Sequence, residues 1–189
     1  MGFSRPEHWW HSKGRGRLTR CWIASVVLAV GALLLITTGP AMALTLTSSA
    51  FEPGGTIPSK YTCESDNVSP PLAFGGAPAG TKSLALIVDD PDAPDPKAPK
   101  RTFVHWVAYD IPASATHIDG KHRDGVNDEH KRGYAGPCPP IGRHRYFFKL
   151  YALDAELGEI GQKATKADLE RAMEGHILER AELIGTYEH

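Results

Sequence analysis

Three short stretches of this 189-residue chain gather the side chains that can do chemistry. The first is Asp89-Asp90-Pro91-Asp92-Ala93-Pro94. Its prolines fix φ and remove backbone donors, so the carboxylates sit on a stiff turn. Asp90, between a strand end and Pro91, is the one placed to face inward; Asp89 and Asp92 read as strand-terminating, loop-orienting acids. The second is His105 within the apolar run Phe103-Val104-His105-Trp106-Val107, which taken alone reads as a satisfied core histidine. The third runs from Gly133 to Tyr146, where Gly133, Gly136 and Gly142 allow close backbone approach and Pro137, Pro139 and Pro140 stiffen the path. A loop stiffened in this way loses little entropy on binding. It delivers His144 and Tyr146 on alternate positions of the next strand, hence on one side, and turns Arg145 to the other side as a structural residue.

A carboxylate, two imidazoles and a phenol can hold a small anion. The histidines and Tyr146 supply hydrogen-bond donors for phosphate-like oxygens, and a neighbouring carboxylate is expected to raise the histidine pKa values. Asp90 can orient a histidine or accept from a ligand amine. No lysine or arginine is assigned to the site; Arg143 reads as a solvated loop residue. An enzyme is the rival class, because Asp90, His105 and His144 resemble the base-and-orienter half of a hydrolase, and the same three could ligate zinc. A nucleophile is missing: Ser114 lies in a turn-like Pro112-Ala113-Ser114 with no G-x-S-x-G context. The expectation is therefore binding without turnover, with no cofactor and no metal.

The elements that must position these residues read as strands. Leu44–Ser48 alternates apolar and polar, and Ser83–Val88, Thr102–Tyr109 and Arg145–Leu153 are buried-strand runs that anchor a central sheet. Pro53-Gly54-Gly55 and Gly75-Gly76 mark turns. The loop over 111–143 is long and charged, and its stretch from His117 to Arg132 reads as a solvated excursion. Thr165 is a helix cap candidate, with Leu169, Met173, Ile177 and Leu178 on the apolar face of a C-terminal helix. The class is mostly β, with one or two terminal helices.

The first 43 residues read as a signal peptide: Arg15, Arg17 and Arg20, an uncharged run over 21–38, then Gly39-Pro40 and Ala41-Met42-Ala43 with its A-x-A cleavage pattern. An uncleaved anchor through 21–38 is the alternative. Of the 21 basic and 22 acidic residues, five basic and one acidic fall within 1–43, which leaves 16 and 21 in a 44–189 domain with formal charge −5. That acidity argues against nucleic acid and against docking on anionic membranes. The domain's two cysteines, Cys63 and Cys138, favour a disulfide in an exported protein over two buried thiols.

Together the Asp90–Pro94 turn, the strand histidine at 105, and the Gly136-Pro137-Cys138-Pro139-Pro140 to His144-Arg145-Tyr146 segment resemble the phosphatidylethanolamine-binding protein family. Tyr61-Thr62-Cys63 and Asn67-Val68-Ser69-Pro70-Pro71 point to its bacterial and archaeal Raf-kinase-inhibitor-like branch. The resemblance covers roughly residues 46–187. It implies antiparallel β-sheet with peripheral helices and a small anion pocket lined by Asp90, His105, His144 and Tyr146, with Pro91 and Gly136 shaping the rim. It also implies a phosphoethanolamine-like or acetate-like ligand, and admits a protein partner, since eukaryotic relatives regulate kinases or proteases. The oligomeric state is not legible in the sequence.

Overall fold

The computed structural model describes residues 43–161 and 163–189; the signal or anchor segment expected over 1–43 lies outside them, apart from Ala43. Two sheets form. A two-stranded one pairs β1 (Thr45–Ser48) with β2 (Leu72–Gly75). The larger contains β3 (Ser83–Asp90), β4 (Phe103–Pro112), β5 (Arg123–Asp124), β6 (Arg143–Leu153) and β7 (Ile177–Glu188), in the order β5-β4-β3-β6-β7. Every strand pairing is antiparallel.

All eight residues of β3 are buried, because both of its faces are covered. Leu84, Leu86 and Val88 pack with Trp106, Phe148 and Leu150 beneath the small sheet. Ala85 and Ile87 pack with Val107, Tyr109 and Leu153 beneath α1 (Lys166–Met173), which buries Leu169 and Met173. The alternation continues to the strand end. Asp90 falls on the first face, whereas Asp89 turns to the second and meets Lys149 at 2.8 Å and Lys166 at 2.6 Å.

The C-terminal expectation needs correction. Thr165 does cap a helix, with a full capping box closed by Asp168. But the helix stops at Met173, and Gly175 takes φ +79°, a conformation that releases the chain from the helix at little cost. Ile177 and Leu178 therefore belong to β7 rather than to a helix face. The physical reason is the second edge of β6: its backbone groups need partners, and β7 pairs with it from Arg143 to Leu153. α1 is the one α-helix among the described residues, joined by a 3-10 turn at Ser59–Tyr61.

The 117–132 stretch is also more than a solvated excursion. It forms β5 on the edge of β4, and buries Gly125 and Asn127. Asn127 accepts from the Glu129 and Lys131 N–H groups and donates to the Gly133 carbonyl, which gives the turn its shape.

Candidate functional site

The site forms where β3, β4 and β6 end together. Asp90 lies at the end of β3, and its Oδ2 is 2.6 Å from Nδ1 of His144 at the start of β6. Its Oδ1 accepts the Asp92 N–H at 2.7 Å, an Asx-type turn that fixes the carboxylate. Asp90 is 3% exposed and His144 fully buried, so the pair is held without competition from water. Nε2 of His144 faces the Ile141 carbonyl oxygen at 3.1 Å. Asp92 takes a different role. It receives Arg145 through Nε at 2.8 Å, Nη2 at 2.7 Å and the backbone N–H at 3.0 Å. Those bonds from Arg145 hold the Asp92 carboxyl below its ordinary value. Arg145 is structural, as alternation along β6 implies.

His105 reaches the site through a fault in the sheet. Val88 pairs with Trp106 but Asp89 pairs with Val104, so the β4 ladder contains an extra residue at His105. Val104 and Trp106 consequently lie on opposite core faces although they are two apart in sequence. Such a bulge re-aims a side chain. The His105 ring packs edge-on against Tyr146, with centroids 5.1 Å apart, and Nδ1 donates to the Ala135 carbonyl at 2.7 Å. Burial pushes the His105 pKa below its ordinary value and outweighs the pull of Asp90. The expected upward shift is therefore reversed at this histidine, because desolvation disfavours the charged ring.

Tyr146 is 1% exposed, and its hydroxyl has no hydrogen-bond partner among the described residues. Burial raises its pKa, so it stays protonated and able to donate. The wall opposite is the 133–142 segment. Gly136 N–H donates to Asn67 Oδ1 at 2.8 Å, and a Cβ on Gly136 would lie 2.5 Å from that oxygen and 2.7 Å from the Tyr61 carbonyl. Only glycine fits there. Cys63 and Cys138 form a disulfide with Cα atoms 5.5 Å apart, and Tyr134 bonds the Tyr61 carbonyl at 2.9 Å.

These groups enclose a cavity of about 220 Å³. Asp90, His105, Gly136, His144 and Tyr146 line it together. Pro91 does not; from the same turn, Ala93 and Pro94 line it instead. Two charged lining residues were not legible in the sequence. Arg101 sits at the cavity with its guanidinium 4.8 Å above the Phe103 ring, so the site does contain a cation. Glu129 arrives from the charged loop. The available signal for Arg101 was its position two residues before Phe103, at the entry to the strand that carries His105. Arg143 pairs with Glu188 at 3.2 Å and does not line the cavity. Among the described residues, no three His, Cys, Asp or Glu side chains converge in an arrangement able to hold a metal ion.

The family model for phosphatidylethanolamine-binding protein matches residues 47–188. The chain belongs to the phosphatidylethanolamine-binding protein family. It is 47% identical over 154 residues to the UPF0098 protein of Methanothermobacter thermautotrophicus, an alignment covering 76% of this chain and 98% of that protein. Among solved structures, a phosphatidylethanolamine-binding protein homologue from Chlamydia trachomatis aligns with TM-score 0.73 and 42% identity, over 78% of this chain and 98% of its own. Escherichia coli YbcL, described as a member of the mammalian family, aligns with TM-score 0.69 and 31% identity, over 77% and 98%. The mostly β, antiparallel fold of the family is the fold observed here.

Proposed function

We propose that this family member is an exported protein that binds a small phosphate-type anion, such as the free head group phosphoethanolamine, in the cavity at the ends of β3, β4 and β6, without turning it over. The observation that carries the reading is the Tyr146 hydroxyl. It is a buried donor with no protein partner among the described residues, on a ring that packs against His105 and His144 and lines the cavity with Arg101. An unmade buried hydrogen bond costs about 1–3 kcal/mol, and a ligand oxygen would recover it. The size agrees: drug-sized sites span about 300–1,000 Å³, whereas about 220 Å³ suits a head group and not an acyl chain. The disulfide supports an oxidising compartment, and with it export.

The Asp90–His144 pair is what a hydrolase would use, and it supports the rival reading. Three features weigh against that reading. Nε2 of His144 faces a carbonyl oxygen and not a hydroxyl nucleophile; Cys138 is tied in the disulfide; no serine or threonine among the described residues lines the cavity. The test is calorimetric titration with phosphoethanolamine and with inorganic phosphate, beside a His144→Ala variant. Binding in the parent that is lost in the variant supports the reading. Equal binding in both would remove the site, and phosphate release from phosphoethanolamine would reinstate the hydrolase.

A further inference from the structure

The hydrogen-bond pattern around His105 narrows the ligand class, and the step rests on the anion-binding reading above. Nδ1 of His105 lies 2.7 Å from the Ala135 carbonyl oxygen. A carbonyl only accepts, so Nδ1 carries the ring hydrogen. The Ala135 N–H returns a bond to the His105 carbonyl at 2.9 Å, so strand and loop fix the ring together. Nε2 has no protein partner among the described residues and belongs to a ring that lines the cavity. Burial keeps this ring neutral against the pull of Asp90, Glu129 and Asp128. A neutral ring with its hydrogen on Nδ1 offers a lone pair at Nε2. It accepts and does not donate.

The surroundings add a second restriction. Asp90 on β3, bonded to His144, and Glu129 from the 125–133 loop, exposed and paired with Lys131 at 3.1 Å, stand at the cavity with the Arg101 guanidinium. Asp128 is held on the neighbouring Val104 backbone, while His144 and Tyr146 line the cavity with the ring from β6. Each additional negative charge on a ligand meets the buried Asp90 carboxylate, where repulsion is less screened than in water.

We infer that the cavity selects an oxyacid monoanion that still carries one O–H, such as the singly ionised form of a phosphate monoester, over the dianion and over diesters with no hydrogen to give. The ligand O–H donates to Nε2 of His105, the Tyr146 hydroxyl donates to a ligand oxygen, and Arg101 meets the remaining charge.

The test compares monomethyl phosphate with dimethyl phosphate by calorimetry, at a series of pH values on the purified protein. Both are single-phosphate anions, but only the monoester has an O–H, which it loses with a second ionisation near about pH 6. Taking the ratio of the two affinities removes protein titrations that affect both esters alike and leaves that of His105, whose protonation turns Nε2 into a donor. Below about pH 6, as long as His105 is neutral, the monoester should bind about fivefold more tightly, the factor supplied by one neutral hydrogen bond. Above about pH 6 its advantage should fall roughly tenfold per pH unit as the monoanion is depleted. A ratio that does not fall between about pH 6 and pH 8 overturns the inference. So does the absence of binding by both esters where phosphoethanolamine binds, which would put the ligand ammonium on His105. If phosphoethanolamine fails as well, the anion-binding reading itself falls. The comparison needs no substitution in a buried residue.

Discussion

Replacing Tyr146 with phenylalanine removes one oxygen and keeps the ring that packs under His105. Among the described residues that oxygen is buried without a hydrogen-bond partner. Deleting an unsatisfied buried hydroxyl removes its desolvation cost of about 1–3 kcal/mol, offset in part by the small void left behind. The net expectation is stabilisation by roughly 1 kcal/mol, which raises the midpoint by about 2–4 °C in a domain near this size. Binding should move the other way. A hydrogen bond to a charged acceptor contributes about 1.5–3 kcal/mol, so affinity for phosphoethanolamine should fall between about tenfold and a hundredfold. Thermal unfolding with and without ligand, together with calorimetry, reads both effects on one pair of proteins. A lower midpoint without ligand would mean that the hydroxyl is satisfied and the reasoning is wrong at its first step. A higher midpoint with unchanged affinity would show that the hydroxyl does not meet the ligand. Opposite signs for stability and binding mark a residue held ready for a ligand, since a purely structural tyrosine would lose both together.

Arg101→Ala should leave the unfolding midpoint unchanged and weaken anion binding by about two- to fivefold, less so at high salt, because an exposed cation contributes about 0.2–1 kcal/mol. Gly136→Ala should cost about 1–3 kcal/mol in denaturant unfolding, since its Cβ would be forced to within 2.5 Å of Asn67 Oδ1; a neutral result would contradict the packing described. Reducing the Cys63–Cys138 bridge, which spans 75 residues, should lower stability by about 4 kcal/mol on the loop-entropy estimate. Peptide mapping of unreduced protein that found two free thiols would exclude the bridge. The depressed pKa of His105 sets a pH dependence. The unfolded chain binds its proton near 6.5 while the folded ring resists it, so this contribution is complete above pH 6.5 and is lost as pH falls through the lower folded value. The midpoint should therefore drop on acidification below pH 6.5, and a His105→Gln variant should show a shallower drop.

Much of the framework was legible because its determinants are local. Continuous apolar runs mark strands covered on both faces, and β3, β4 and β6 appear where those runs lie. Alternation along β6 puts His144 and Tyr146 on one side and Arg145 on the other, and the structure keeps that division. Thr165 capped its helix because a capping box needs only four consecutive residues. The even cysteine pair met across the 133–142 segment as the composition suggested.

What remained hidden depends on partners distant in sequence. Residues 177–188 carry apolar positions compatible with either period, and the open edge of β6 chose the strand by offering a full ladder of backbone bonds. Strict alternation puts His105 on the face opposite Trp106; a bulge, created where β4 must match β3 across Val88 and Asp89, turns it into the cavity instead. The direction of its pKa shift followed the same logic, since burial is a property of the assembled core and not of neighbours in the chain. Arg101 and Glu129 reach the cavity on loops whose course is set by contacts with β4 and the rim. Sequence alone thus determined which residues could make an anion site and which strands would carry most of them. The tertiary structure decided which ones meet, because meeting depends on register, bulges and burial, and no local pattern encodes those.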